Sequence, residues 1–318
     1  MHANTKLVNW LLFSLLSIIW GSSFILMKAG MTALSAYQVA AIRMLSAGLV
    51  LLPIVVKQFI QPLSPKESPS NSLISQSLLE KTILREKMGL IILSGLLGSF
   101  FPAFLFCIAE TRIDSSLAGI LNALTPLFTI ILGALFFQLE VNFLKMSGVI
   151  TGFAALVLLF ISGGHANMQD IGYASLVLIA TILYGLNVNM VGKHLKGVGS
   201  VTIAAFAFAF LIPPSLAVLW YTGYFKFDLL MENILLSTAA SAVLGIFGTA
   251  IASILFYMLV KRAGTLFSSL VTYGIPFVAI SWGLLYNETI SLLQVICLGV
   301  ILSGVWMVNK GSRQIKQP

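Results

Sequence analysis

Ten apolar runs, each about as long as a bilayer's hydrocarbon core is thick, follow one another along this chain with mostly short polar turns between them. They cover residues 7–29, 33–56, 88–109, 113–137, 143–162, 171–192, 198–221, 234–260, 264–286 and 291–309. A helix rises about 1.5 Å per residue, so roughly 20 apolar residues cross roughly 30 Å of hydrocarbon. Charged side chains make up only 9% of the 318 residues, against about a quarter in soluble domains, and the runs leave no length for a soluble domain. The expectation is an all-α integral membrane protein. The first run is not read as a cleaved signal, because it continues through Phe24, Ile25, Leu26 and Met27 without a small-residue cleavage site.

The net charge of +8 is explained by topology. With the N-terminus inside, the inner side collects Lys6, Lys57, Lys66, Lys81, Arg85, Lys87, Lys145, Lys193, Lys196, Lys261, Arg262, Lys310, Arg313 and Lys316, and the outer side only Lys28, Arg112 and Lys226. Positive residues resist translocation, so both termini are expected in the cytoplasm of a multi-pass protein of the cell (inner or plasma) membrane. These charges flank spans and are not gathered on one face, which argues against nucleic acid as a partner. The expected partners are the lipid bilayer and a small-molecule substrate. The one long connection, 57–87, carries Pro62, Pro65 and Pro69 and reads as a flexible cytoplasmic loop; Leu73, Ile74, Leu78, Leu79, Ile83 and Leu84 give only a weak signal for an interfacial helix.

A shift of 150 residues superposes Gly95 on Gly245, Gly98 on Gly248, Leu105 on Leu255, Phe106 on Phe256, Arg112 on Arg262, Pro126 on Pro276, Ile130 on Ile280 and Gly133 on Gly283. This identifies a duplication, with halves at 1–162 and 163–318. Five spans in each half is an odd number, so the second half enters the membrane from the opposite side. The predicted fold is ten transmembrane helices as two inverted five-helix repeats, an architecture with two similar conformations open to opposite faces.

Few polar groups lie at depth. The ten acidic residues and His2, His165 and His194 fall in loops or at span ends, so transport driven through a buried titrating carboxylate is not expected; Glu110, Asp114, Glu140 and Glu288 are the residues that test this. Arg43 is the exception, near the middle of the second span, with Phe208 at the matching place in the second half. Either it anchors an anionic group of a substrate or it holds backbone carbonyls of a neighbouring helix. Pro126 and Pro276 are predicted to kink the fourth and ninth spans and free the carbonyls of Asn122 and Thr272. Trp20 and Ser22 with Ser23, Tyr184 with Asn187 and Asn189, and Tyr273 add polar and aromatic groups at similar depth. Each alone reads equally as interhelical glue, but together they point to a central cavity. The candidate binding residues are Trp20, Ser22, Arg43, Asn122, Tyr184, Asn187, Thr272 and Tyr273.

Gly148 and Gly152 form a GxxxG on the fifth span, and Gly299 and Gly304 mark the tenth, so these helices are expected to pack on each other or on another subunit; monomer and homodimer both stay open. Cys107 and Cys297 sit in apolar runs without CxxC spacing and read as packing thiols, which leaves no disulfide framework, no metal site and no cofactor. No HExxH, intramembrane aspartate pair, Ser/His pairing within spans or Walker-type glycine loop occurs, so an intramembrane enzyme lacks its residues.

Trp20-Gly21-Ser22-Ser23-Phe24, Ala41-Ile42-Arg43-Met44-Leu45, the stretch Ala118 to Pro126, and Glu140 or Glu288 just beyond spans four and nine resemble the EamA-type branch of the drug/metabolite transporter superfamily. The resemblance covers nearly the whole chain, with Tyr184 and Phe208 departing from it in the second half. It implies a secondary transporter that exports or exchanges small metabolites, commonly amino acids or related compounds, through a cavity between the repeats. A channel or a lipid-flipping protein of the same architecture is the alternative.

Overall fold

The computed structural model describes residues 2–60, 71–113, 115–162, 171–278 and 292–314, and every regular element among them is helical. Helices α1 (His2–Gly30) and α2 (Ala36–Ile60) are joined by a tight turn in which Ser35 and Gln38 cap each other. The Ser35 N–H donates to Gln38 Oε1 at 2.9 Å and the Gln38 N–H to Ser35 Oγ at 3.3 Å, so two donors at the helix start are satisfied reciprocally. Next come α3 (Asn71–Gly95), a π-helical turn Leu96–Phe100, α4 (Phe101–Ala109), α5 (Ser115–Asn122), α6 (Thr125–Phe137) and α7 (Phe143–Ser162). The remainder is α8 (Ile171–His194), α9 (Ser200–Tyr221), α10 (Glu232–Gly245), a second π-helical turn Ile246–Ile251, α11 (Ala252–Ala263), α12 (Thr265–Ser269), a 3₁₀ turn Leu270–Gly274, and α13 (Leu292–Gln314).

Among the described residues six helices are long and apolar enough to cross a membrane: Lys6–Gly30, Ala36–Gln58, Thr82–Ala109, Ile171–His194, Ser200–Tyr221 and Glu232–Ala263. Shorter apolar helices occupy Thr125–Phe137, Phe143–Ala155, Thr265–Val278 and Gly299–Val308. The chain is therefore an all-helical membrane protein. The connection expected as a flexible loop over 57–87 is much shorter, since α2 runs to Ile60 and α3 starts at Asn71. Its polar first turns are strung on the same helix that becomes apolar after Lys87, a continuity that a search for a separate apolar stripe does not detect. Pro62, Pro65 and Pro69 lie outside the described residues, as do His165, Ile280, Gly283 and Glu288.

Glycine sets the closest helix contacts. Gly148 on α7 and Gly304 on α13 meet backbone to backbone: a Cβ on Gly148 would lie 2.6 Å from the Gly304 carbonyl oxygen, and one on Gly304 would lie 2.5 Å from that of Gly148. The two glycine-marked helices thus pack on each other within the chain. Gly48 of α2 faces the Phe208 carbonyl and Ile212 of α9, and Gly245 of α10 faces the backbone of Arg43 on α2. Gly264, at φ 91°, makes the turn from α11 into α12 in a conformation that side chains oppose. Cys107 and Cys297 are both buried free thiols, as packing thiols would be.

The expected proline kinks take different forms. At Pro126 the helix breaks outright: α5 ends at Asn122 and α6 restarts at Thr125 with the proline in its first turn, where a missing N–H costs nothing. The Asn122 carbonyl so freed accepts a hydrogen bond from Thr125 Oγ1 at 2.7 Å. Before Pro276 the chain tightens into the 3₁₀ turn Leu270–Gly274, with Thr272 Oγ1 donating to the Ser269 carbonyl at 3.0 Å.

Candidate functional site

Two π-helical turns, 150 residues apart, shape the centre of the molecule. In the first, the Phe101 N–H reaches back five residues to the Leu96 carbonyl; in the second, the Ala252 N–H reaches the Phe247 carbonyl. Widening a helix by one residue per turn releases a carbonyl from the ordinary ladder and bulges the backbone, which is why such turns gather at sites that bind something. At the second turn the Gly248 carbonyl accepts the Trp20 indole N–H at 3.1 Å. At the first, Gly98 lies directly against Asn187 of α8, where a Cβ would come within 2.1 Å of Nδ2. Asn187 is held in turn by Ser94, whose Oγ donates to Asn187 Oδ1 at 2.8 Å and lies 3.1 Å from the Tyr257 hydroxyl.

Between these turns is a cavity with about 100 Å³ of water-accessible space, widening to an open mouth. Trp20, Ser23, Phe24 and Met27 line it from α1, Arg43 from α2 and Phe106 from α4. Asn122 and Thr125 contribute at the α5–α6 break, Tyr184 and Asn187 from α8, and Ser253, Phe256 and Tyr257 from α11. The two π turns supply Gly98, Ser99, Gly248 and Thr249, and the α12 region Ser269, Thr272 and Ile275. Both halves of the chain therefore form the wall. Aromatic faces dominate one part: Trp20 and Phe256 have centroids 5.2 Å apart, and Phe106 stacks on Tyr184 at 6.2 Å. Hydroxyls and amides supply the rest, an amphipathic lining suited to an organic molecule with one polar end.

Arg43 is the cation of this wall. Its Nε donates to Thr249 Oγ1 at 2.6 Å and its Nη1 lies 4.0 Å from Met27 Sδ. Among the described residues its hydrogen bonds are to side chains, and the Thr249 bond ties α2 to the second π turn, so a structural and an anchoring role both stand. One edge is fixed by a threonine of the opposite half, and Nη1 has a thioether for company, a weak acceptor. Phe208, the matching residue in the second half, is fully buried in the core on α9 and lines no part of the cavity.

Six of the eight residues singled out from the sequence line the cavity: Trp20, Arg43, Asn122, Tyr184, Asn187 and Thr272. Ser22 does not; the stripe Trp20, Ser23, Phe24, Met27 follows the i, i+3, i+4, i+7 spacing of one helix face, and Ser22 is off that face. Tyr273 does not either. Its hydroxyl donates to the Val149 carbonyl on α7 at 3.1 Å and its ring fills the space over Gly152, so it packs the bundle. Asn189 likewise acts between helices, its Nδ2 donating to the Thr129 carbonyl of α6 at 2.9 Å. Sequence reasoning passed over Gly98, Gly248, Phe106 and Phe256 as site residues, although the 150-residue shift pairs them; Thr249, the partner of Arg43, carries no signal of its own in the sequence.

A bundle of apolar helices around a central amphipathic cavity, with one half-buried cation in its wall, is the form of a membrane transporter. The model of the EamA-like transporter family matches residues 8–161 and again 172–310, and the chain belongs to that family. It is 25% identical over 304 residues to the uncharacterized inner membrane transporter YedA of Escherichia coli strain K12, covering 93% of this chain and 89% of that one. It is 23% identical over 308 residues to an uncharacterized transporter of Archaeoglobus fulgidus, covering 94% and 98%. A solved crystal structure superposes over 99% of each chain with a TM-score of 0.67 at 14% identity, a likeness of fold alone.

Proposed function

We propose that the protein is a secondary transporter that exports or exchanges a small amphipathic metabolite bearing an anionic group, such as an amino acid or a related organic compound, by alternating access. In this reading its ten spans form two inverted five-helix halves, 1–162 and 163–318, with both termini in the cytoplasm. The observation that carries the reading is the Arg43 guanidinium, fixed at one edge by Thr249 and turned into an aromatic-lined cavity to which both halves contribute. A cation kept in such a place at a cost of about 3 kcal/mol on insertion scales needs a counter-charge, and a ligand's carboxylate would provide one with bidentate geometry. The repetition of the π turns at a spacing of 150 residues supports two copies of one unit, and the basic residues flanking the spans support the orientation.

The test is to express the protein in cells lacking comparable exporters, profile compounds that accumulate outside, and reconstitute the best candidate in liposomes. Arg43→Gln should lower affinity tenfold to more than a hundredfold, the effect of about 1.5–3 kcal/mol for a charge-assisted hydrogen bond. Arg43→Lys should recover part of the loss, since it keeps the charge and loses the fork. Full flux in Arg43→Gln at normal protein level sinks the anchor. Saturating flux with counterflow distinguishes a carrier from a channel, and cysteine labelling that finds the two ends on opposite sides of the bilayer would sink the inverted arrangement.

A further inference from the structure

Glu110 stands one residue beyond the apolar span Thr82–Ala109, as the C-cap of α4, yet it is only 7% exposed. Its Oε2 accepts a hydrogen bond from Ser115 Oγ at 3.3 Å, while Oε1 is buried without a hydrogen-bond partner among the described residues. Lying outside the span is therefore not the same as lying in water, and the expectation that no buried carboxyl serves transport loses its ground. Burial favours the neutral form and pushes this carboxyl up to about 8; the Ser115 hydroxyl at the start of α5, the Lys28 ammonium at the end of α1 and the Arg43 guanidinium on α2 pull it the other way. Cys107, one turn back on α4, feels both Arg43 and Glu110, and its thiol is 3.7 Å from the same Met27 sulfur that Arg43 approaches. From α8, Tyr184 faces Arg43 and Cys107, and Arg112 in the turn after α4 is exposed. The carboxyl and the cavity's guanidinium thus share one poorly hydrated region, with Met27 and Cys107 between them.

We propose that Glu110 is a proton-binding site coupled to the cavity through Arg43, its affinity for the proton raised when an anionic ligand occupies the guanidinium and lowered when the ligand leaves. The proposal rests on the reading of Arg43 as an anion anchor. With the cavity empty, the positive field of Arg43 favours the carboxylate. An anion on the guanidinium cancels that field, and the balance moves toward the neutral acid. Linkage makes the effect reciprocal: protonating Glu110 frees Arg43 from a competing negative charge and tightens the anion. At a pH near or above its ligand-free midpoint, proton and anion then bind as a pair that adds no net charge to the membrane interior, which makes the coupled movement there symport.

Difference infrared spectroscopy tests this on the full-length purified protein, through the carbonyl band of a protonated carboxylic acid followed against pH. The band should vanish in Glu110→Gln and titrate with a midpoint near 8 in the wild type. Ser115→Ala, which removes a bond to the ionised form, should raise the midpoint and so assigns the band even if Glu110→Gln does not fold. Arg43→Gln should also raise it in the ligand-free protein, which tests the coupling without any ligand. Phenylacetate, a small aromatic carboxylate, should raise the wild-type midpoint and leave that of Arg43→Gln unmoved. A band already lost below pH 6 in the wild type overturns the proton site. A high midpoint that neither Arg43→Gln nor bound phenylacetate moves overturns the coupling. If Arg43→Gln raises the midpoint but neither phenylacetate nor related carboxylates bind, the anion anchor fails and the ligand-linked step with it, although Glu110 stands as a proton site.

Discussion

Gly245→Ala is the substitution for which the structure supplies the sharpest expectation. The new methyl carbon would lie 2.4 Å from the Arg43 carbonyl oxygen, 3.1 Å from its carbon and 1.9 Å from Ser46 Oγ. The serine could swing away only by giving up its bonds to the Ile42 and Arg43 carbonyls at 2.8 and 3.2 Å. The backbone oxygen cannot swing. Ordinary contact begins near 3.4 Å, so α2 must retreat from α10 by about 1 Å, a gap that forfeits a quarter to a half of the dispersion energy of the touching atoms. Overpacking against backbone belongs at the upper end of the usual range, about 3 kcal/mol, and the gain in helix propensity from glycine to alanine returns about 1, leaving a loss of about 2 kcal/mol. Gly95, its counterpart 150 residues earlier, meets Ala207 first, at 3.1 Å from Cβ and 3.2 Å from O, so there the two effects should nearly cancel. Gly89→Ala, with nothing within 4 Å, should be neutral or stabilising. Apparent melting temperatures at one scan rate in one detergent should rank Gly89→Ala at or above wild type, Gly95→Ala close to it and Gly245→Ala several degrees below. A Gly245→Ala protein that melts with Gly95→Ala would refute the claimed backbone approach of α2 and α10.

Trp20→Phe keeps the ring against Phe256 but removes the indole donor from the Gly248 carbonyl. We expect a loss of about 1 kcal/mol in stability and faster amide exchange in the second π turn, measured by mass spectrometry. Gly304→Ala should lower the melting temperature, whereas Gly299→Ala, on the same helix but facing open space, should not. For Glu110, the folded-state value of about 8 exceeds the ordinary 4.5, so the folded protein keeps a proton in that window that the unfolded chain releases. Stability should fall as pH rises from about 4.5 to about 8, by up to about 1.4 kcal/mol per pH unit, and then level off; Glu110→Gln should flatten the thermal-shift curve over that window.

Periodicity and composition made the helices legible, because a helix in hydrocarbon must be apolar over a fixed length. The centre was legible where a polar or aromatic residue had no other reason to be at depth, as with Arg43, Trp20 and Asn187. It was illegible where side-chain direction decides: Ser22 and Ser23 differ by one residue and about 100° of helix rotation, and Tyr273 beside Thr272 turns onto α7 instead of the cavity. The π turns have no compositional mark beyond the glycines that the duplication pairs. Glu110 lies at a span end as expected, but its burial was illegible, since a position along the chain predicts membrane depth but says nothing of what folds over a helix end.

In the proposed pair of repeats Arg43 and Phe208 occupy matching stations, and only one of them is ionisable. In that arrangement the copies would be mechanical twins, yet electrically the molecule is lopsided. If inward- and outward-facing forms arise by the copies trading shapes, the guanidinium does not trade with them and meets a different environment in each. The two forms are then unequal in energy even with nothing bound. That bias, set by a single cation, would give the carrier a preferred resting side and different affinities at its two faces.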